Sequence, residues 1–158
     1  MGVASFQQLS DEFCDAAGVE RQHLVQDGAG AMTFSTDILD VAVNVTHMQA
    51  THPDHAFLLV DFGPAPEQDE ALALRTLLLI NFTFLGHETA TAFSIHPVYG
   101  NVTLQATYPL HKCSGAHLLK SIRILADSAL QWRQTHFLPE GTESFDKQAA
   151  EIDLGLRA

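Results

Sequence analysis

FLLVDFGPAPEQ (residues 57–68), ALALRTLLLINFTFLG (71–86) and TAFSIHPVYGNVTLQATYPL (91–110) follow one another as strand, helix and hairpin. The helix is expected from about Glu67 to Leu85. It carries Leu72, Leu74, Leu77, Leu78, Leu79, Ile80, Phe82, Phe84 and Leu85, so it is apolar on nearly every side. A helix that covers one sheet shows a single apolar stripe, whereas one apolar all round is buried on several sides. In a chain of 158 residues the second cover is most simply another copy of the same chain. This is the pattern of a self-associating binding protein.

Working outward, Ser5 and Gln8 form a capping box before an apolar row of Phe6, Leu9 and Phe13 at helical spacing, and Gly18 can close that helix. Met32 and Phe34 alternate with polar residues as a short strand. Thr36-Asp37 is expected to turn the chain into a second strand, on which Val41, Val43 and Val45 share a face. Phe57 to Phe62 has a continuous apolar centre and reads as an interior strand. Thr91–His96 and Asn101–Tyr108 flank a Pro97–Gly100 turn and should pair as a hairpin, with Val102, Leu104 and Ala106 on its buried side. Ser114 caps a last helix with the stripe Leu118, Ile122, Leu125, Ala129 and Trp132. The order is α-β-β-β-α-β-β-α, an α+β fold with one twisted antiparallel sheet packed with helices. Residues 1–136 read as one domain, and 137–158 as a polar C-terminal tail, flexible or a short docked helix.

Composition narrows the partners. Nineteen Asp and Glu against eight Lys and Arg give a net charge of −11, which disfavours nucleic acid and anionic membranes. No apolar run reaches the roughly 18 residues that span a bilayer. MGVASFQQL has neither a basic nor an apolar leader region, so the expected compartment is the cytoplasm.

Catalytic patterns are weak. His47, His52, Asp54 and His55 cluster around one loop, but their spacing fits no helical or finger-type metal site. Cys14 and Cys113 read as free thiols. Lys112 and the following helix N-terminus would lower the pKa of Cys113, yet no base accompanies it. Gly28-Ala29-Gly30 lacks the rest of a phosphate loop. Acidic pairs such as Asp11 with Glu12, and Glu67 with Asp69 and Glu70, suit helix starts. The reading is a non-enzyme with no cofactor and no metal.

Val60-Asp61-Phe62-Gly63, the Leu77-Leu78-x-x-Asn81 helix ending at Gly86, Phe93-Ser94-Ile95, Gly100-Asn101-Val102, Pro109-Leu110 and the closing Gln131-Trp132-Arg133 are similar, in order and spacing, to the CesT-type (Tir chaperone) family of class I type III secretion chaperones. The opening Phe6-x-x-Leu9 helix agrees. The resemblance implies a homodimer in the bacterial cytoplasm that binds the N-terminal segment of one or a few secreted effector proteins in extended form, without ATP. It also implies contact with the secretion ATPase or sorting platform. Self-contact is expected on the second helix, through Leu72, Arg75, Leu78, Leu79 and Phe82. An extended client needs a sheet edge and apolar pockets; Phe6, Leu9, Phe13, Met32, Phe34, Val41, Val43 and Val45 are expected to line a groove for it. A small dimeric adaptor for a folded partner is the alternative.

Overall fold

Buried and more open side chains alternate along the inner strands at 41–48 and 55–62, and the chain folds so that one sheet face is dry. The computed structural model describes residues 5–84 and 89–138. Along them run α1 (Phe6–Ala17), β1 (Ala31–Ile38), β2 (Val41–Met48), β3 (His55–Gly63), α2 (Glu70–Thr83), β4 (Thr91–Ile95), β5 (Val102–Pro109), a 3-10 turn at Leu110–Lys112 and α3 (Gly115–Thr135). The five strands form one antiparallel sheet in the order β1-β2-β3-β5-β4. This is the architecture expected above.

Pairing register sets the two faces. Phe34, Val45, Leu58 and Ala106 stand opposite one another across four strands, as do Val43, Val60, Leu104 and Phe93 across four. Both rows are buried beneath α1 and α3. Phe34 meets the rings of Phe6 and Phe13 at 5.6 and 5.3 Å, and Phe62 meets Phe93 edge-on at 5.1 Å. Burying each such side chain stabilises the fold by about 1.5–3 kcal/mol. On the opposite face Thr33 pairs with Thr46, Ser35 with Asn44, and Ser94 with Thr103, each through a side-chain hydrogen bond.

The two helices that cover the dry face lock each other. Gly115 opens α3 against α1 so closely that a Cβ there would lie 2.2 Å from the backbone N of Phe13. Glu12 on α1 accepts a hydrogen bond from the Gly115 N–H, so its charge caps the neighbouring helix. At its other end α3 sends Arg133 to donate to three backbone carbonyls, those of Asp40, Asp61 and Phe62. That clamp ties the β1–β2 turn to a bulge in β3 between Asp61 and Gly63.

Two boundaries differ from expectation. β1 runs on through Thr36 and Asp37, and the turn lies at Leu39 and Asp40, both at positive φ (54° and 61°). A two-residue hairpin of this hand usually announces itself with glycine or asparagine, which Leu39 conceals. α2 begins at Glu70 instead of Glu67, after Asp69 in the left-handed region. Its expected end at Leu85 and Gly86 lies outside the described residues, as do 139–158 of the expected tail. Leu138, on the tail side of the boundary expected at 136, is buried in the core.

Candidate functional site

Seven of the eight residues expected to line a groove are core residues. Phe6, Leu9, Phe13, Phe34, Val41, Val43 and Val45 are each at most 2% exposed, and only Met32 is partly open. The groove expected between α1 and the early strands is filled by their own side chains. The reason is geometric: alternation marks which side of a strand is apolar but not whether a helix already covers it.

What the early strands leave open is an edge. β1 is an outer strand. The Gln22 side chain donates to the Ser35 carbonyl, which therefore points away from β2. Antiparallel pairing alternates, so the N–H and C=O groups of Thr33, Ser35 and Asp37 all face outward. The segment 19–27 folds back along this edge as an arm, turning at 28–30. Among the described residues its one backbone bond to β1 is Asp27 N–H to the Ala31 carbonyl, 2.8 Å. Side chains hold the rest. Gln7 of α1 donates to the Gln22 carbonyl and accepts from Leu24 N–H, and Leu24 is buried at the margin of the core. The arm shields the edge without completing a strand.

α2 lies beside the opposite edge, β4. Asn81 bonds the Phe93 backbone twice, and Phe84 packs near the Phe93 ring at 6.2 Å. Ala73 and Leu77 form its buried side. Its other side is open: Leu72, Leu78, Leu79 and Phe82 are 64–74% exposed, and Arg75 stands among them. All five residues expected to meet a second copy thus face solvent together. Ile95, 50% exposed, extends the apolar surface onto β4.

Reactive chemistry is muted. Cys113 is buried, and that burial, with Glu12 nearby, pushes its thiol up to about 12, opposite to the lowering expected from the helix N-terminus and Lys112. Cys14 is also a buried free thiol. His47 points into the core face, where its Nδ1–H donates to the His55 carbonyl at 2.9 Å and its ring stacks on Phe6 at 5.3 Å. His52 stays on the loop, with its ring edge-on to Phe57. Among the described residues no three His, Cys, Asp or Glu side chains are grouped to hold a metal ion. None of the described helices is long and apolar enough to cross a membrane.

Sequence reasoning missed the arm and the role of Asn81. A lone amide inside the apolar run 77–84 was the available signal, since such a group needs partners when covered.

Comparison with known proteins agrees with this geometry. A family model described as the Tir chaperone protein (CesT) family matches residues 8–133. The solved structure of the HopA1–SchA chaperone–effector complex contains a chain 18% identical, with a TM-score of 0.56, covering 82% of this chain and 94% of that one. The crystal structure of the ExsC–ExsE complex contains one 19% identical, with a TM-score of 0.64, covering 86% and 95%. At such identities the likeness is one of fold. No curated protein matches the sequence significantly.

Proposed function

The chain belongs to the Tir chaperone protein (CesT) family, and from that premise we propose that it is a type III secretion chaperone. It binds the N-terminal segment of one or a few effectors in extended form and keeps them soluble and competent for secretion. It works in the bacterial cytoplasm as a homodimer, by binding alone and without ATP hydrolysis, and passes its client to the secretion ATPase or sorting platform.

The observation that carries this reading is the outward-facing backbone edge of β1, held by an arm that, among the described residues, pairs with it through one backbone bond. An extended client adds to such an edge through main-chain hydrogen bonds and sets alternate side chains into apolar pockets. The client's inward side chains would border the partly open Met32 of β1, with Phe34 and the Phe6 and Phe13 rings packed in the core behind it. Leu9, Val41, Val43 and Val45 support that wall from beneath. The exposed α2 row of Leu72, Arg75, Leu78, Leu79 and Phe82 supports the homodimer, because a two-fold axis sets one such patch on its own copy.

Co-expression with the N-terminal ~100 residues of each secreted substrate encoded in the same genome, followed by light scattering and limited proteolysis, tests it, since an ordered extended client is shielded from cleavage. The expected product is two copies of this chain with one protected client segment. A dimer that forms no complex with any client but captures a folded partner would move the function to an adaptor. A chain that stays monomeric and binds nothing would overturn the proposal.

A further inference from the structure

The β4–β5 hairpin borders an open cavity of about 150 Å³ on the uncovered face of the sheet, lined by Ala42, Asn44, Leu59, Asp61, His96 and Tyr99 together with Asn101 and Thr103. Among the described residues no lysine or arginine lines it. The Asp61 side chain is half-buried there, at the bulge of β3. Its Oδ1 accepts from the Gly63 N–H at 2.7 Å and from Asn101 Nδ2 at 3.0 Å, and among the described residues its Oδ2 has only the same Asn101 nitrogen, also at 3.0 Å. A carboxylate has about four acceptor positions, so Oδ2 keeps capacity to spare. Among the described residues the one ion pair is Arg21 with Asp15. Of Asp61, Arg133 bonds the backbone carbonyl and not the carboxylate. The His96 Nδ1 is turned toward the hairpin, where it accepts from the Val98 and Tyr99 N–H groups. Its ring stacks on Tyr99 at 4.7 Å, and the pair forms an aromatic wall beside the acid.

We infer that this cavity is a subsite for an arginine side chain of a bound client segment. A guanidinium supplies a planar face for Tyr99 and a fork of N–H donors for Oδ2, which a lysine ammonium does not. The arginine stem would cross Leu59, which is half-buried on the same face. A surface of net charge −11 draws a basic segment toward it. This rests on the chaperone reading and adds a selection rule to it: clients carry an arginine that reaches the uncovered sheet face, apart from any strand added at β1.

The test uses the full chain labelled with ¹⁵N and two capped peptides, Gly-Leu-Ser-Arg-Ser-Gly and the same peptide with citrulline for arginine. Citrulline keeps the shape and loses the charge. The arginine peptide should shift the amides of Asp61 and of residues 99–103, and should bind about fivefold more tightly than the citrulline peptide, the scale of a partly exposed ion pair with a stacked ring. Asp61→Asn should erase that difference, with its fold checked in the same spectra. Tyr99→Ala, at an exposed hairpin tip, should weaken the arginine peptide about threefold even if the first variant fails to fold. Equal binding of the two peptides, or shifts centred on β1 or α2, would overturn the subsite. A client complex that forms undiminished after every arginine in the client becomes glutamine would also overturn it while leaving the chaperone standing. Charge-selective peptide binding with no client complex would keep the subsite and remove the chaperone.

Discussion

Asn81 holds Phe93 by both atoms of its amide: Nδ2 donates to the Phe93 carbonyl at 3.0 Å, and Oδ1 accepts from the Phe93 N–H at 2.6 Å. A helix side chain here does what a sixth strand would do for β4, and it orients α2 so that its exposed row faces away. Replacing Asn81 with leucine leaves two edge groups without these partners in a half-buried site. We expect a loss of about 1–3 kcal/mol, read from urea unfolding, with Asn81→Asp retaining the acceptor half only. A variant as stable as the parent would show that α2 is placed by its apolar side alone.

Gly115 is the tightest point of the α1–α3 crossing, with Phe13 N and the carbonyl carbon of Glu12 at 2.2 and 2.3 Å from where a Cβ would sit. Both are backbone atoms and cannot swing aside. Gly115→Ala should therefore push the helices apart and cost about 3 kcal/mol, the upper range for overpacking, and lower the melting temperature. An unchanged melting temperature would mean that the two helices slide freely.

Much of this architecture was legible beforehand, and particular residues show why. Val102, Leu104 and Ala106 alternate cleanly, so β5 and its dry face could be read from period alone. Ser5 and Ser114 mark the starts of α1 and α3 as capping residues, each accepting a hydrogen bond from the N–H three positions on. The site was less legible. Phe6, Phe13 and Phe34 have the composition of a pocket and of a core alike, and only packing separates the two. The arm 19–27 has no periodicity, and its tethers, Gln7 and Gln22, act across 15 and 13 residues of chain, distances that no local pattern reports.

The β1 edge makes a prediction readable without a client. Amides of Thr33, Ser35 and Asp37 face outward, while those of Phe34 and Thr36 lie within the β1–β2 ladder. Hydrogen exchange along β1 should alternate accordingly, fast at odd positions and slow at even ones. Client binding should slow the odd set. Uniform protection in the free protein would mean that the arm is already a paired strand and the edge is closed.

The α2 row gives a prediction about mass. Leu79 is 65% exposed in the single chain, so a charge there is tolerated by the fold and is costly only when a second copy covers it. Leu79→Asp should halve the mass seen by light scattering and leave the helical circular dichroism in place. Phe82→Asp should do the same. A parent protein that is already monomeric, or variants that remain dimeric, would place self-association elsewhere.

His117, half-buried on α3, makes stability depend on pH. Desolvation first, and Lys120 second, hold its pKa below the ordinary value of 6.5, and its Nε2 is buried with no hydrogen-bond partner among the described residues. The folded state therefore accommodates the neutral ring and resists the charged one. For a group whose folded pKa is depressed, the unfolded chain binds the proton more readily. The contribution of His117 is fully present above pH 6.5 and is lost as pH falls below it. Urea midpoints should thus decline between pH 7.5 and pH 5. His117→Gln, which keeps the size and removes the titration, should decline less over the same interval. Parallel curves for the parent and the variant would place the acid sensitivity on other groups and show that the α3 site admits the charged ring.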